Sequence, residues 1–238
     1  MTWVKICGTT NLEDANAALE AGADALGFIF AESPRRIAPD EAKRIIRQLP
    51  APIEKVGVFV NETPERMHQV IEEAGLTAVQ LQGEETAAIA DELKRLSTTR
   101  RGRLHIFKAV GVAKGIEGVI RDFAASPSID GILLDSFAAR AAGQIAGEHK
   151  VARGGTGKTF DWKRAEAFVP GLAQRTRVII AGGLSPANVT EAILMLNPWG
   201  VDVCSGVEAA PGHKDVTKVR AFVKAARSAG QRGTTSSN

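Results

Sequence analysis

Three glycine-rich stretches in the second half of the chain could hold a phosphate group, because glycine lets backbone N–H groups approach an anion closely. They read GGTG at residues 154–157, AGGLSP at 181–186 and CSGVE at 204–208. The last two directly follow apolar segments that are neighbours in chain order. Any one loop could merely turn the chain, but three together favour a ligand that carries phosphate.

The first stretch continues into Gly157-Lys158-Thr159, which is how the P-loop of a nucleotide-hydrolysing protein ends. The P-loop pattern needs glycine at position 152, where this chain has Ala152. A P-loop also follows a buried strand and begins a long helix, whereas the preceding GQIAGEHKV is polar and interrupted by glycine. These departures argue against a P-loop and leave a simpler phosphate-binding loop.

The composition is typical of a soluble globular protein and gives no support to a nucleic-acid or membrane role. The chain has 238 residues, 44% hydrophobic and 24% charged, with a net charge of +3 that is not gathered in one basic arm. No apolar run approaches the ~20 residues of a membrane span, and the N-terminus lacks the apolar core of a signal peptide. Two cysteines indicate no disulfide framework, so we expect a cytoplasmic protein.

Eight short apolar segments, rich in valine and isoleucine, alternate with amphipathic segments and predict buried strands. They cover residues 3–7, 25–30, 55–60, 78–82, 105–110, 131–135, 177–183 and 200–206. This alternation predicts an α/β protein, a single-domain (β/α)8 TIM barrel over residues 1–227, with a doubly wound open sheet as the alternative. The polar residues 228–238 predict a disordered C-terminal tail.

Two helix-to-strand junctions resemble each other and indicate a repeated βα unit. They read EAGADAL and EAGLTAV, with Gly22 and Gly75 where a helix C-terminus needs a left-handed residue. Asn11 is predicted to cap the first helix.

A barrel places its catalytic groups where strands end and loops begin. The side chains and glycines at these positions are Cys7, residues 30–36, Asn61, Gln82, Asp135, Gly182, Gly183, Ser205 and Gly206.

Six motifs at or near these strand ends are KICG, SPRRI, GVFVNE, GGTGKTFDW, AGGLSPANV and VDVCSGVE. In this order they resemble phosphoribosylanthranilate isomerase, an enzyme family of tryptophan biosynthesis, over residues 4 to 222. The resemblance implies a (β/α)8 barrel that converts N-(5-phosphoribosyl)anthranilate to 1-(2-carboxyphenylamino)-1-deoxyribulose 5-phosphate by an Amadori rearrangement. It implies a small phosphorylated substrate as the partner, and neither a metal nor an organic cofactor.

The resemblance also implies roles for individual residues. Cys7 corresponds to the general base and Asp135 to the general acid. Arg36 corresponds to the arginine that meets the anthranilate carboxylate, with Arg35 as the alternative. The phosphate group is expected to bind the glycine loops through Gly155, Gly157, Gly182, Gly183, Ser205 and Gly206.

The chemistry needs an acid at the ring oxygen to open the furanose and a base at C2 to enolise it. Strands one and six are well separated around a barrel, so Cys7 and Asp135 can flank one sugar. Without the motif, Cys7 could be a small buried hydrophobe and Asp135 could cap the following loop. A disulfide or metal pair between Cys7 and Cys204 is a further alternative, although no other ligands stand at metal spacing.

Side-chain alternation predicts one more interior pair. If Cys7 faces the barrel interior, so does Lys5, and Asp202 shares a face with Cys204 on the last strand. Lys5 and Asp202 are therefore expected to pair inside the barrel, either shaping the field of the site or only filling its inner layer.

The chain departs from the family pattern at two places. Gln82 stands where the family usually has histidine, so acid–base help from that position is lost. The loop at residues 136–155 is longer than usual, and Arg140, Lys150 and Arg153 could reach a phosphate or carboxylate; the alternative is an insertion with no role.

Three other functions remain open at this point. A barrel isomerase of the histidine pathway is expected to use aspartate where this chain has Cys7. A P-loop nucleotide switch is disfavoured by Ala152. A non-catalytic phosphate-binding barrel is disfavoured only because Cys7 and Asp135 are both present.

Overall fold

The computed structural model describes residues 1–97, 103–112, 117–136 and 162–232 of the chain. Eight parallel strands close into a barrel in chain order. They are β1 Trp3–Cys7, β2 Ala25–Ile29, β3 Glu54–Phe59, β4 Ala78–Leu81, β5 His105–Gly111, β6 Gly131–Asp135, β7 Arg177–Ile180 and β8 Gly200–Val203. The register Lys5↔Asp202 joins β1 to β8 and closes the ring. The predicted (β/α)8 barrel is confirmed, and the open-sheet alternative is wrong.

Helices follow the strands and cover the outside of the barrel. They are α1 Leu12–Ala21, α2 Pro39–Ile46, α3 Pro64–Ala74, α4 Ala87–Leu96, α5 Glu117–Ala125, α6 Trp162–Glu166, α7 Val169–Ala173, α8 Val189–Leu196 and α9 Val216–Arg232. Among the described residues, no helix is long and apolar enough to cross a membrane.

The repeated junctions have the local structure that their glycines predict. The Asn11 side chain accepts a hydrogen bond from the Asp14 amide at 2.8 Å and so caps α1. Gly22 and Gly75 end α1 and α3 with φ angles of 90° and 82°, which glycine adopts without a Cβ penalty.

The barrel interior changes from apolar to polar along the strands. Near the amino ends, the rings of Trp3 and Trp199 stack with centroids 4.9 Å apart. Alanine, valine and leucine side chains of the inner cluster fill the next level. Toward the carboxyl ends the buried side chains become polar, because period-two alternation puts these residues on the inner face: Lys5, Gln80, Gln82, Asp135 and Asp202.

The segment after β8 contains a hairpin that we did not predict. A 3₁₀ turn at Ser205–Val207 leads into β9 Glu208–Ala210, which pairs antiparallel with β10 His213–Lys214. Gly212 between the two strands has a φ angle of 82°. The sequence signal was the Pro211-Gly212 dipeptide, a common turn former.

The start of the predicted tail needs correction. Helix α9 includes residues 228–232, because Ala229 is buried and Gly230 packs closely against Thr2. The predicted boundary after residue 227 is therefore five residues too early, and residues 233–238 lie outside the described part of the chain.

Candidate active site

Cys7 ends β1 and lies buried at the carboxyl face of the barrel. A Cβ at Gly27 would lie 2.7 Å from its Sγ, so the glycine on the neighbouring strand makes room for the thiol. A hydrogen bond from Cys204 is the main cause that lowers the pKa of Cys7, to about 7; burial opposes this, and the charge of Lys5 assists. Cys7 can therefore supply a thiolate near neutral pH.

Cys204 follows β8; its thiol interacts with that of Cys7 and also donates to Glu208 Oε1 at 3.9 Å. Its pKa lies well above the usual thiol value, because it donates to Cys7, is buried and lies beside the Cys7 charge. Both cysteines are free. Among the described residues, no group of three or more histidine, cysteine, aspartate or glutamate side chains could hold a metal ion. A disulfide therefore does not describe this arrangement.

Lys5 and Asp202 form the interior ion pair that side-chain alternation predicts. The Lys5 Nζ lies 2.9 Å from Asp202 Oδ1, and both side chains are buried. Burial lowers the pKa of Lys5, but the charges of Asp202 and Cys7 and the hydrogen bonds to both together outweigh burial, so the pKa is raised. Lys5 is therefore a fixed cation two residues from Cys7.

Asp135 ends β6 on the same face of the barrel and is buried. Burial raises its pKa, and the charge of Asp202 acts in the same direction. Hydrogen bonds from Ser136 and Gln82 act against the rise without cancelling it. A buried carboxyl group of this kind holds a proton more readily than an exposed aspartate does.

The two glutamines of β4 and its end extend from Asp135 into the barrel. Gln82 Nε2 donates to Asp135 Oδ2 at 3.1 Å, and Gln80 Nε2 donates to Gln82 Oε1 at 2.5 Å. Sequence reasoning treated Gln82 only as a replacement for histidine and missed Gln80. The signal was available, because residues two apart on a strand share a face.

The two arginines after β2 differ in their surroundings. Arg35 Nε and Nη2 donate to the two carboxylate oxygens of Glu208 at 2.8 and 2.7 Å, and Lys214 Nζ approaches Glu208 at 3.0 Å. Arg36 is exposed and forms no ion pair with the described residues. The Arg35 guanidinium is thus occupied, which leaves Arg36 as the candidate for a ligand carboxylate. Sequence reasoning missed Glu208 and Lys214, which belong to the unpredicted hairpin.

The glycine loops after β7 and β8 lie against each other and beside Asp135. Gly182 and Gly183 have φ angles of 76° and 65°. A Cβ at Gly182 would lie 2.6 Å from Asp135 Oδ1, and one at Gly206 would collide with the Leu184 carbonyl oxygen. Ser205 begins the 3₁₀ turn that contains Gly206. The structure therefore brings four of the predicted phosphate-loop residues together.

The remaining predicted residues cannot be placed. Gly155, Gly157, the Gly157-Lys158-Thr159 sequence and the three basic residues of the long loop lie outside the described residues. The three basic residues are Arg140, Lys150 and Arg153.

Comparison with known proteins supports one family across nearly the whole chain. Residues 4–225 match the family described as N-(5'phosphoribosyl)anthranilate (PRA) isomerase. The chain is 44% identical over 231 residues to an N-(5'-phosphoribosyl)anthranilate isomerase of Trichlorobacter lovleyi, covering 96% of this chain and 100% of that protein. It is 42% identical over 228 residues to that of Pelobacter propionicus, covering 95% and 96%.

Solved structures agree with this match. The phosphoribosyl anthranilate isomerase of Thermotoga maritima superposes with a TM-score of 0.77 at 40% identity, covering 96% of this chain and 100% of that one. A second solved isomerase, bound to reduced 1-(o-carboxyphenylamino)-1-deoxyribulose 5-phosphate, gives 0.76 at 38% identity, with the same coverage. With the barrel and its carboxyl-face side chains already described, these matches show that the chain belongs to the N-(5'-phosphoribosyl)anthranilate isomerase family.

Proposed function

We propose that this chain isomerises N-(5-phosphoribosyl)anthranilate with Cys7 as the general base and Asp135 as the general acid. The observation that carries the proposal is the opposite shift of the two groups at one face of the barrel. The pKa of Cys7 is lowered to about 7, whereas burial raises the pKa of Asp135. Each shift brings the group closer to the protonation state that its role requires near neutral pH.

Asp135 carries out the first step in this scheme. Its carboxyl proton moves to the ring oxygen of the furanose as the bond between that oxygen and C1 breaks. The ring opens to an imine with a protonated nitrogen, and Asp135 is left as a carboxylate. The hydrogen bonds from Ser136 and Gln82 stabilise this carboxylate as it forms.

Cys7 carries out the second step. Its thiolate takes the proton from C2, and the electron pair of the C–H bond forms a double bond between C2 and C1 while the imine nitrogen is neutralised. The resulting enolamine becomes the ketone when C1 gains a proton and the C2 hydroxyl loses one. The Lys5 ammonium group, fixed by Asp202, favours the thiolate that begins this step.

The substrate's two anionic ends suit the groups around the acid and the base. The exposed Arg36 guanidinium can form two parallel hydrogen bonds to the anthranilate carboxylate. The phosphate suits the adjoining loops that contain Gly182, Gly183, Ser205 and Gly206, because glycine lets backbone N–H groups approach an anion closely. Binding at both ends would hold the sugar between β1 and β6.

The reaction moves only protons and the electrons of existing bonds, so an acid and a base suffice and we propose no metal or organic cofactor. Two free cysteines are consistent with a reducing compartment, and we place the enzyme in the cytoplasm. Its partner is the phosphorylated small molecule, and nothing in the charge pattern calls for nucleic acid or membrane.

The test follows the loss of anthranilate-type fluorescence when protein is added to freshly made phosphoribosylanthranilate. We expect turnover by the wild type and none by Asp135→Asn or Cys7→Ala, with the exposed Asp122→Asn as a matched control that keeps activity. No turnover by the folded wild type would contradict the proposal. Turnover of the phosphoribosyl substrate of the histidine pathway, in a parallel assay, would instead indicate the isomerase of that pathway. Binding of phosphoribosylanthranilate without turnover would indicate a non-catalytic phosphate-binding barrel.

A further inference from the structure

We infer that Gln82, held in place by Gln80, is a positioning residue that orients Asp135 and stabilises the carboxylate that the acid step creates. This inference rests on the proposed role of Asp135. It assigns a function to a position where the chain departs from the histidine usual in its family, and to Gln80, to which no role has been given above.

The two carboxyl oxygens of Asp135 have different hydrogen-bond partners. Oδ1 accepts a hydrogen bond from the backbone N–H of Ser136 at 2.6 Å, and the Ser136 hydroxyl oxygen lies 3.4 Å from the same Oδ1. Oδ2 accepts only the Gln82 amide among the described residues, at 3.1 Å. A carboxylate oxygen has two lone pairs, so Oδ2 keeps one free for the proton that is transferred. Gln82 therefore touches the oxygen that acts as the acid.

The Gln82 amide is held in one orientation by Gln80. An amide can present either its oxygen or its nitrogen, and only the nitrogen can donate to a carboxylate. Gln80 Nε2 donates to Gln82 Oε1 at 2.5 Å, which turns Gln82 Nε2 toward Asp135. Both glutamines are buried, so water does not compete for these bonds.

The arrangement of the two glutamines leaves one buried polar atom unsatisfied. Gln80 Oε1 is buried and has no hydrogen-bond partner within the described part of the chain. A buried acceptor without a partner costs free energy, and an apolar residue would fill this place at lower cost. Such violations are expected where a site is organised for function rather than for stability.

Asp202 and Gln82 act on the ionisation of Asp135 in opposite directions. Asp202 on β8 is the ionisable neighbour whose charge acts on Asp135 among the described residues, and it is itself paired with Lys5 on β1. Its negative charge opposes ionisation of Asp135. The Gln82 amide is a donor from the opposite side of the barrel, on the end of β4, and favours ionisation. As negative charge develops on Oδ2 during proton transfer, this hydrogen bond strengthens and lowers the barrier.

The experiment measures single-turnover rates and their pH profiles for Gln82→Met, Gln80→Met and Gln82→His beside the wild type. Methionine keeps the length of glutamine and removes its hydrogen bonds. We expect Gln82→Met to slow the chemical step by about 10-fold or more, since hydrogen bonds to charged groups have effects of this order. We expect a smaller loss for Gln80→Met, whose side chain makes no hydrogen bond to Asp135, and partial recovery for Gln82→His, which restores a donor.

The pH profile separates positioning from a merely structural effect. Loss of a donor to the carboxylate makes Asp135 a weaker acid, so the limb that belongs to Asp135 moves to higher pH by about one unit, while the limb that belongs to Cys7 stays. KM should stay near the wild-type value. The exposed Gln69→Met serves as the matched control and should change neither quantity.

The two proposals fail in different ways. An inactive wild type would refute the proposed function itself. An active wild type whose Gln82→Met and Gln80→Met variants keep the normal rate and both pH limits would overturn the inference about the glutamines. Thermal unfolding of each variant shows that it is folded, and Gln80→Met supplies a second test if Gln82→Met does not fold.

Discussion

Lys5 and Asp202 are register partners on β1 and β8, and their side chains form a buried ion pair with Nζ and Oδ1 2.9 Å apart. The charges of this pair act on the two groups to which we assign the chemistry. The charge of Asp202 raises the pKa of both Cys7 and Asp135, whereas the charge of Lys5 lowers that of Cys7. One ion pair at the closing seam of the barrel thus acts on the base and the acid together.

Removal of Lys5 should destabilise the fold and raise the pKa of Cys7, so that less thiolate is present at neutral pH. Lys5→Met leaves the Asp202 carboxylate buried without its cation, which we expect to cost roughly 3–5 kcal/mol in the free energy of unfolding. Urea unfolding measures this cost. The double variant Lys5→Met/Asp202→Leu should recover a large part of the lost stability, because no unpaired charge remains buried. Additive losses in the two single variants and the double variant would contradict a coupled pair.

The rate at which Cys7 reacts with iodoacetamide should rise with pH, with a midpoint at about pH 7. The hydrogen bond from Cys204 stabilises the thiolate, so its removal in Cys204→Ala should move the midpoint to higher pH. Cys204→Ser keeps a donor and should return it toward the wild-type value. Labelling of Cys7→Ala gives the background from Cys204. An unchanged midpoint in Cys204→Ala would remove Cys204 from this role.

Substitution of the two arginines after β2 should affect different properties, KM for Arg36 and stability for Arg35. Arg36→Ala should raise KM roughly tenfold or more with a smaller effect on kcat, if the guanidinium binds substrate and transition state alike. Arg35→Ala should chiefly lower stability, because Glu208 loses two charge-assisted hydrogen bonds. The exposed Arg47→Ala is the control for both. A normal KM in Arg36→Ala would indicate that Arg35 or the long loop binds the anthranilate carboxylate instead.

Gly182 should tolerate no side chain. Its φ angle of 76° is strained for any other residue, and a Cβ there would press on Ser136 and Asp135. We expect Gly182→Ala to lose about 1–3 kcal/mol of stability from the backbone alone, and to lower kcat because Asp135 must shift. Gly171→Ala is the matched control, since a Cβ there meets nothing within 4 Å. Equal stability and equal kcat of the Gly182→Ala and Gly171→Ala variants would contradict this interpretation of the loop after β7.

Local sequence signals were sufficient to predict those features that depend on interactions between residues close together in the chain. Apolar segments of strand length predict the eight strands, and Gly22 and Gly75 predict the ends of α1 and α3 because a left-handed residue is needed there. Alternation along β1 and β8 was enough to predict the Lys5–Asp202 pair, since period two determines which side chains face inward. The family resemblance supplied the candidate roles of Cys7 and Asp135, which no periodicity could have assigned.

Contacts between distant segments were decided only by the tertiary structure. Arg35 is held in an ion pair by Glu208, which lies 173 residues further along the chain. Glu208 belongs to a hairpin of which the sequence indicates only the turn. The Cys7–Cys204 hydrogen bond and the contact of Gln82 with Asp135 arise because barrel closure brings separate strand ends to one face. The pKa of Cys7 follows from the hydrogen bond of Cys204, burial and the charge of Lys5, and that of Asp135 from burial, hydrogen bonds and the charge of Asp202. Sequence therefore determined the elements and their inward faces, while closure of the ring determined which side chains meet and in which protonation states.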